Sequence, residues 1–404
     1  MRAVSRPLSD VTDRPVDLND VARGDGFLFV RDGVGFAGRG VAARVPVDEA
    51  VGFLAAIAHD DRAGGVNGPI ALGPLPFRPG ADADLIVPAV LVGKDGTGRQ
   101  WVTVIDEQDD ELDGEVERAL FPESEPVPTS AGWSIEPLVD TDQYLAAVAA
   151  ARDAVRDGTL QKAVIARPIE VRADRPIDVH AVLRRLKATF GSSHRFSIDG
   201  FIGASPELLV AVEGGVVSSF PLAGTTGTTG DDELDAKLAA ELHASEKNRI
   251  EHAAAIEMVR DTLLPFCSYL DWAPEPEIVK VANVQHLGSR AEGMLSKPHA
   301  TVIELVRALQ PTPAVGGHPR ESAIELIERV EGFERGIYGG TVGWCDGNGD
   351  GRWAVSLRCA ELSDDRRSAR LVAGGGIVAD SDPLSELAET QAKFQAMLSA
   401  LIRP

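Results

Sequence analysis

Along this chain the apolar positions recur with two periods, near 3.6 in some stretches and near 2 in others, and the switch between them marks out helices and strands. Gly26-Phe27-Leu28-Phe29-Val30 and Trp101-Val102-Thr103-Val104-Ile105 read as short strands among Gly- and Pro-rich turns. The acidic run from Asp106 to Glu117 and the Pro-rich piece around Pro126 and Pro128 read as a surface loop or internal linker. From Thr141 the pattern sharpens. Tyr144 through Asp157 keeps helical period until Gly158 stops it, and Lys162-Ala163-Val164-Ile165-Ala166-Arg167 reads as a strand. Helices are predicted over 178–189, 245–263, about 300–309 and 320–331, and at the C-terminal end. Strands are predicted at 195–198, 208–212, around Val279–Val284, and over 338–345, 352–362 and 369–378. Strands come in pairs between helices instead of alternating strictly with them, so the predicted class is a large α+β or mixed α/β fold and not a doubly wound parallel sheet.

Two of these helices carry carboxylates where packing does not require them. In the 245–263 helix, His252, Ala255, Ile256, Val259 and Leu263 form the apolar stripe, and Glu251 lies at its edge. A carboxylate turned toward a core is costly unless a cation meets it. In the last helix Asp382 can cap, Pro383 suits the first turn, and Glu386, Glu389 and Lys393 share one face. Two glutamates from helices distant in sequence are what a Mg2+ site requires, because this hard cation takes oxygen ligands and shares its shell with water and an anionic substrate. Two solvated helix faces with surface ion pairs explain the same spacing.

Charge narrows the partners. With 62 acidic and 40 basic residues among 404, the net charge is −22, which argues against nucleic acid or an anionic membrane surface while leaving room for a small anion held by local cations. Cys267, Cys345 and Cys359 are widely spaced and include no CxxC pair, so neither a disulfide framework nor a zinc site is indicated. No apolar run reaches the length of a signal core or a membrane span, and a cytoplasmic protein is expected. Asp346-Gly347-Asn348-Gly349-Asp350-Gly351 imitates the start of an EF-hand loop, but the twelfth position is Leu357 where a glutamate is needed. A hairpin turn is the better reading.

Several motifs remain. Lys162 opens a strand, Glu207 ends Gly203-Ala204-Ser205-Pro206-Glu207, and Phe220-Pro221-Leu222-Ala223-Gly224-Thr225 joins a strand end to a small-residue loop where backbone can approach a ligand. With Lys247-Asn248-Arg249-Ile250-Glu251-His252 and Ser385-Glu386-Leu387-Ala388-Glu389-Thr390-Gln391-Ala392-Lys393, they closely resemble, in order and over about 140–400, the chorismate-utilising enzymes of menaquinone, siderophore and tryptophan biosynthesis. Among these the chain most resembles the isochorismate synthases.

The resemblance implies one large domain over 1–404, with stacked antiparallel sheets flanked by helices and 1–135 as a motif-poor part of the same fold. It implies that Glu251 and Glu389 hold Mg2+, that Lys162 is the base activating water, and that Glu207 is the acid for the leaving hydroxyl. Gly224, Thr225, His286, Ala314, Val315, Tyr338, Arg358, Gly374 and Lys393 match substrate-binding positions, and Asn248 and Glu386 stand behind the metal ligands. Ala223 occupies the place of the lysine that the aminodeoxychorismate branch uses covalently, and the amine-adding anthranilate synthases lack the lysine matching Lys162. The water-adding branch is left, with no amidotransferase subunit and a monomer expected. The Ala314-Val315 pair resembles enzymes that retain the enolpyruvyl group; a salicylate synthase, or a non-catalytic chorismate-binding subunit, are the alternatives. Two departures stand out: the loop after Thr225 runs Thr226-Gly227-Thr228-Thr229-Gly230 where many relatives place an arginine, and Asn248 replaces an acidic residue.

Overall fold

A computed structural model describes residues 1–66, 68–106, 112–121, 130–281 and 284–402. The strand Lys162–Ala173 is central to it. Period two turns Ala163 and Ile165 toward the helices Thr141–Arg156 and Arg320–Val330, where they pack with Tyr144, Val148, Leu326 and Ile327. The alternate positions Lys162 and Val164 face a cavity instead. Its neighbour Ser368–Ile377 pairs with it antiparallel over ten residues, from Ser368 opposite Arg172 to Ile377 opposite Ala163. Farther along, Ile169 and Val171 join a cluster with Val182, Leu183 and Leu186 of the helix Val179–Thr189 and with Phe394, Met397 and Leu401 of the helix Pro383–Ile402. The apolar stripe of each helix is therefore covered by the sheet.

Pairing is antiparallel throughout the described strands except between Arg2–Pro7 and Ala58–Asp61. Strands of the first part of the chain enter the same ladder as the later ones: Phe27–Arg31 pairs with His194–Ile198, and Ile70–Leu75 with Thr341–Asp346. A second cluster gathers around the fully buried Trp353, with the helices Ala50–Ala55 and Val302–Leu309 against it. This is the mixed fold of large antiparallel sheets flanked by helices. A separate three-stranded sheet, Leu222–Gly227, Val284–Gly288 and Glu277–Val281, packs with the helix Glu246–Leu263, and both contribute to the cavity wall.

Local expectations change in four places. Within the acidic run, Leu112–Leu120 is a helix whose Val116, Ala119 and Leu120 are buried in the core; Pro126 and Pro128 lie outside the described residues. The 352–362 strand is two, Gly351–Val355 and Cys359–Leu362, because Arg358 takes a left-handed φ of 48°. Tyr338 precedes the strand Thr341–Asp346 and sits in a turn. The 279–284 segment takes in the ends of two strands, Glu277–Val281 and Val284–Gly288, that pair antiparallel. The Asp346–Asp350 turn joins Thr341–Asp346 to Gly351–Val355, as the hairpin reading expects.

Candidate active site

Lys162, Glu207, Gly224, Thr225, Asn248, Glu251, His286, Ala314, Val315, Tyr338, Arg358, Gly374, Glu386, Glu389 and Lys393 all line one cavity of about 270 Å3. They come from the large sheet, from the small sheet, and from two helices distant in sequence. Val164, Pro206, Leu222, Ala223, Leu357 and Gly376 complete the wall. Two of these were within reach of period-two reasoning, since Val164 and Gly376 follow Lys162 and Gly374 by two residues on the same faces.

Lys162 is 9% exposed at the start of its strand, and its Nζ contacts the Glu251 carboxylate. Glu207 is 2% exposed, between Phe201–Ser205 and Leu208–Glu213. Burial pushes its carboxyl up to about 8, against the opposing pull of the Leu222 backbone N–H and of Lys162. Glu207 is therefore a protonated acid at neutral pH, facing the same cavity as an amine.

His286 is held on Val284–Gly288 with its Nδ1 3.3 Å from the Gly224 carbonyl oxygen and 3.0 Å from Thr225 Oγ1. The carbonyl can only accept, so the proton sits on Nδ1. Nε2 is left as a buried acceptor with no partner among the described residues. Burial, with Arg358 and Lys393 nearby, lowers its pKa to about 3 and keeps the ring neutral. Gly224 has a φ of +76°, and a Cβ there would stand 3.2 Å from Asn248 Oδ1, so both backbone and space demand glycine.

Glu386 and Glu389 reach the cavity from the helix Pro383–Ile402 over a run of glycines. A Cβ on Gly375 would lie 2.5 Å from Glu386 Oε2 and 3.8 Å from Glu389 Oε1. Ser381 Oγ donates to Glu386 Oε1 at 2.8 Å. Lys393 Nζ sits 2.5 Å from Glu389 Oε1 and donates to the Gly374 carbonyl at 2.7 Å, so it ties the helix to the sheet beside the cavity. Arg358 makes no hydrogen bond or ion pair to a carboxylate among the described residues, and burial lowers its pKa. It stands ready for an incoming anion. Burial also pushes the Tyr338 phenol up to about 12, so it remains a neutral hydroxyl.

Three carboxylates besides Glu207 line the cavity, against the three cations Lys162, Arg358 and Lys393. Among the described residues no three or more His, Cys, Asp or Glu side chains converge as a metal cage. An all-oxygen set of one or two carboxylates with room for an anionic substrate suits Mg2+, which rarely occupies an all-protein cage.

Gly376 leaves space for the lysine. A Cβ there would lie 2.6 Å from Lys162 Cε and 3.2 Å from Glu251 Oε1. Gly376→Ala is expected to displace the amine by a fraction of an ångström to an ångström and lower kcat on the order of 100-fold. The circular-dichroism spectrum should be unchanged; a wild-type kcat in the folded variant would show that the placement of the amine does not matter.

Known proteins resemble this chain over most of its length. A provisionally named isochorismate synthase, MenF, of Mycobacterium tuberculosis is 41% identical over 351 residues, covering 82% of this chain and 86% of that one. Isochorismate synthase DhbC of Bacillus subtilis is 41% identical over 280 residues, 67% of this chain and 70% of that one. The structure of MenF, the menaquinone-specific isochorismate synthase from Escherichia coli, superposes with a TM-score of 0.81 at 25% identity, covering 100% of this chain and 94% of that chain. The family profile described as chorismate binding enzyme matches residues 77–402. A match of that extent, together with relatives at 41% identity across most of both chains, makes this chain a member of the chorismate-binding enzyme family.

Proposed function

We propose that the protein is a Mg2+-dependent isochorismate synthase, adding water at C2 of chorismate and expelling the C4 hydroxyl. The observation that carries this is the meeting of an amine, Lys162, and a buried protonated carboxylic acid, Glu207, on one cavity with the acidic residues of two helices. Lys162 in its free-amine form takes a proton from the attacking water, and Glu207 gives one to the departing hydroxyl, which leaves as water. The double bond moves as the C2–O bond forms and the C4–O bond breaks, so substrate and product have the same composition. Glu251 and Glu389 would hold Mg2+, with Glu386 behind them, and the ion would neutralise and orient the ring carboxylate.

Arg358 grips a carboxylate with its planar fork, and Lys393 fixes the Gly374 backbone against which the enolpyruvyl carboxylate lies. His286 Nε2 accepts a hydrogen bond from a ring hydroxyl, with Gly224 and Thr225 holding the imidazole. Ala314 and Val315 offer a small apolar wall with no side-chain hydroxyl to assist loss of the enolpyruvyl group. Water is the nucleophile, so no amidotransferase subunit is called for. No described helix is long and apolar enough to cross a membrane; a cytoplasmic enzyme feeding a siderophore or menaquinone pathway accords with that.

Incubation with chorismate and Mg2+ tests the reading: chromatography and mass should identify isochorismate, with no accompanying pyruvate. Salicylate and pyruvate in equal amounts would replace it with a lyase. The Glu207 acid sets a second expectation. Its active form carries the proton, so kcat should fall as pH rises through about 8, and Glu207→Gln should remove that alkaline limb along with most of the rate. An alkaline limb that persists in the variant would assign it to another group.

A further inference from the structure

Behind the cavity wall lies a buried ion pair that the chemistry above does not use. Glu331 caps the end of the helix Arg320–Val330, and Arg335 follows four residues later; their side chains are 1% and 2% exposed. Arg335 Nε donates to Glu331 Oε2 at 2.9 Å and Nη2 to Oε1 at 2.5 Å. Two further donors go to backbone: Nη1 to the Val315 carbonyl at 2.7 Å and Nη2 to the Val164 carbonyl at 2.6 Å. Glu331 Oε1 accepts from the Ala166 N–H at 2.7 Å. The guanidinium lies 4.3 Å from the centroid of the Phe77 ring and 5.9 Å from that of Tyr338.

The pair fills a gap in a ladder. Along one edge of the strand Lys162–Ala173, Gly317–His318 pairs with Ala163 and Lys162, and Val164 N donates to the Gly316 carbonyl. Trp133–Pro137 takes over from Ile169 onward. Between these, among the described residues, no strand stands opposite the Val164 carbonyl and the Ala166 N–H, and the two side chains take the place of one. Apolar residues of similar volume could pack such a site as well or better. They could not donate to two carbonyls on separate segments while accepting from an amide on one of them; a fork held by a carboxylate does both.

The two neighbouring segments so joined both line the cavity. Val315, beside Ala314, belongs to one; Val164, two residues from Lys162, belongs to the other. We infer that Arg335, oriented by Glu331, is a positioning residue that fixes the separation between the Ala314–Val315 wall and the strand end bearing Lys162. This rests on the isochorismate synthase reading, since it assigns Lys162 to the water. The side-chain hydrogen bonds of Arg335 go to Glu331, Val315 and Val164 and, among the described residues, to none of the segments that carry Arg358 and Lys393, so its loss should act on the attack geometry before carboxylate binding.

The test is steady-state kinetics on Arg335→Lys and on Glu331→Gln, with kcat expressed per folded site from thermal melts and active-site titration. A lysine cannot hold both carbonyls and the carboxylate. The expected result for Arg335→Lys is a fall in kcat on the order of 100-fold with KM held within about threefold. Glu331→Gln keeps an acceptor for Ala166 but loses charge on the fork, and should show a smaller loss of the same kind; it also decides the matter if the arginine variant fails to fold. Added guanidinium ion should restore part of the kcat of Arg335→Ala. A merely structural role lowers the melting temperature and leaves kcat per folded site and KM at wild-type values, which would overturn the inference, as would a rise in KM alone. A wild type that makes no isochorismate overturns the functional reading and this inference together, whereas an active wild type with undiminished variants overturns this inference only.

Discussion

Replacing Lys162 by alanine should lower turnover on the order of 1,000-fold while chorismate still binds. The amine is almost buried, its approach is kept open by the missing side chain of Gly376, and it shares the cavity with Glu207 on the opposite chemical duty. Arg358, Lys393 and His286 remain to hold the substrate, so the loss belongs to kcat and calorimetric binding should change little. Lys162→Arg separates two meanings of the result. It keeps a cation beside Glu251, but a guanidinium does not give up its proton in a protein. The arginine variant should therefore be about as inactive as the alanine one. An arginine variant with wild-type kcat would make the residue a source of charge instead of a base.

Turnover should also vanish in excess chelator and return with added Mg2+. Glu251 and Glu389 face the cavity from separate helices, and each contacts a lysine Nζ, that of Lys162 for the first and of Lys393 for the second. A divalent ion offers both carboxylates a stronger partner and brings positive charge to a cavity that must accept a substrate with two carboxylates. Glu389→Gln should raise the Mg2+ needed for half-maximal rate by at least about 100-fold, since even residues that only support a ligand cost 10–100-fold. Saturating Mg2+ should recover part of the rate. Full activity in chelator would remove the metal from the account.

The parts of this site that could be read along the chain are those whose chemistry conflicts with simple packing. Glu251 at the edge of an apolar stripe is one, and Glu386, Glu389 and Lys393 on one face of an otherwise apolar helix are another. The later strands were legible because interior strands buried on both faces, such as Lys162–Ala173, show as apolar runs. In the first part of the chain Phe27–Arg31 and Gln100–Asp106 were legible and most of the rest was not. Val34–Pro46 carries Gly35, Gly38 and Gly40 and looks like turns, yet it is a thirteen-residue strand. Its glycines answer close approach: a Cβ on Gly38 would lie 2.8 Å from Pro88 of the neighbouring strand. Arg358 was placed on a continuous strand because nothing in an Arg residue announces a left-handed φ. Glu331 and Arg335 have the spacing of an ordinary surface pair, and only the fold buries them.

With a base and an acid on the same ring, water should enter at C2 as the C4 hydroxyl leaves. Turnover of unlabelled chorismate with Mg2+ in water enriched in oxygen-18, followed by mass analysis of the product, follows that oxygen. Isochorismate carrying one heavy oxygen, located at C2 by fragmentation, is the expected product. Unlabelled isochorismate, formed by moving the original hydroxyl, would contradict that expectation, as would a product that has lost pyruvate.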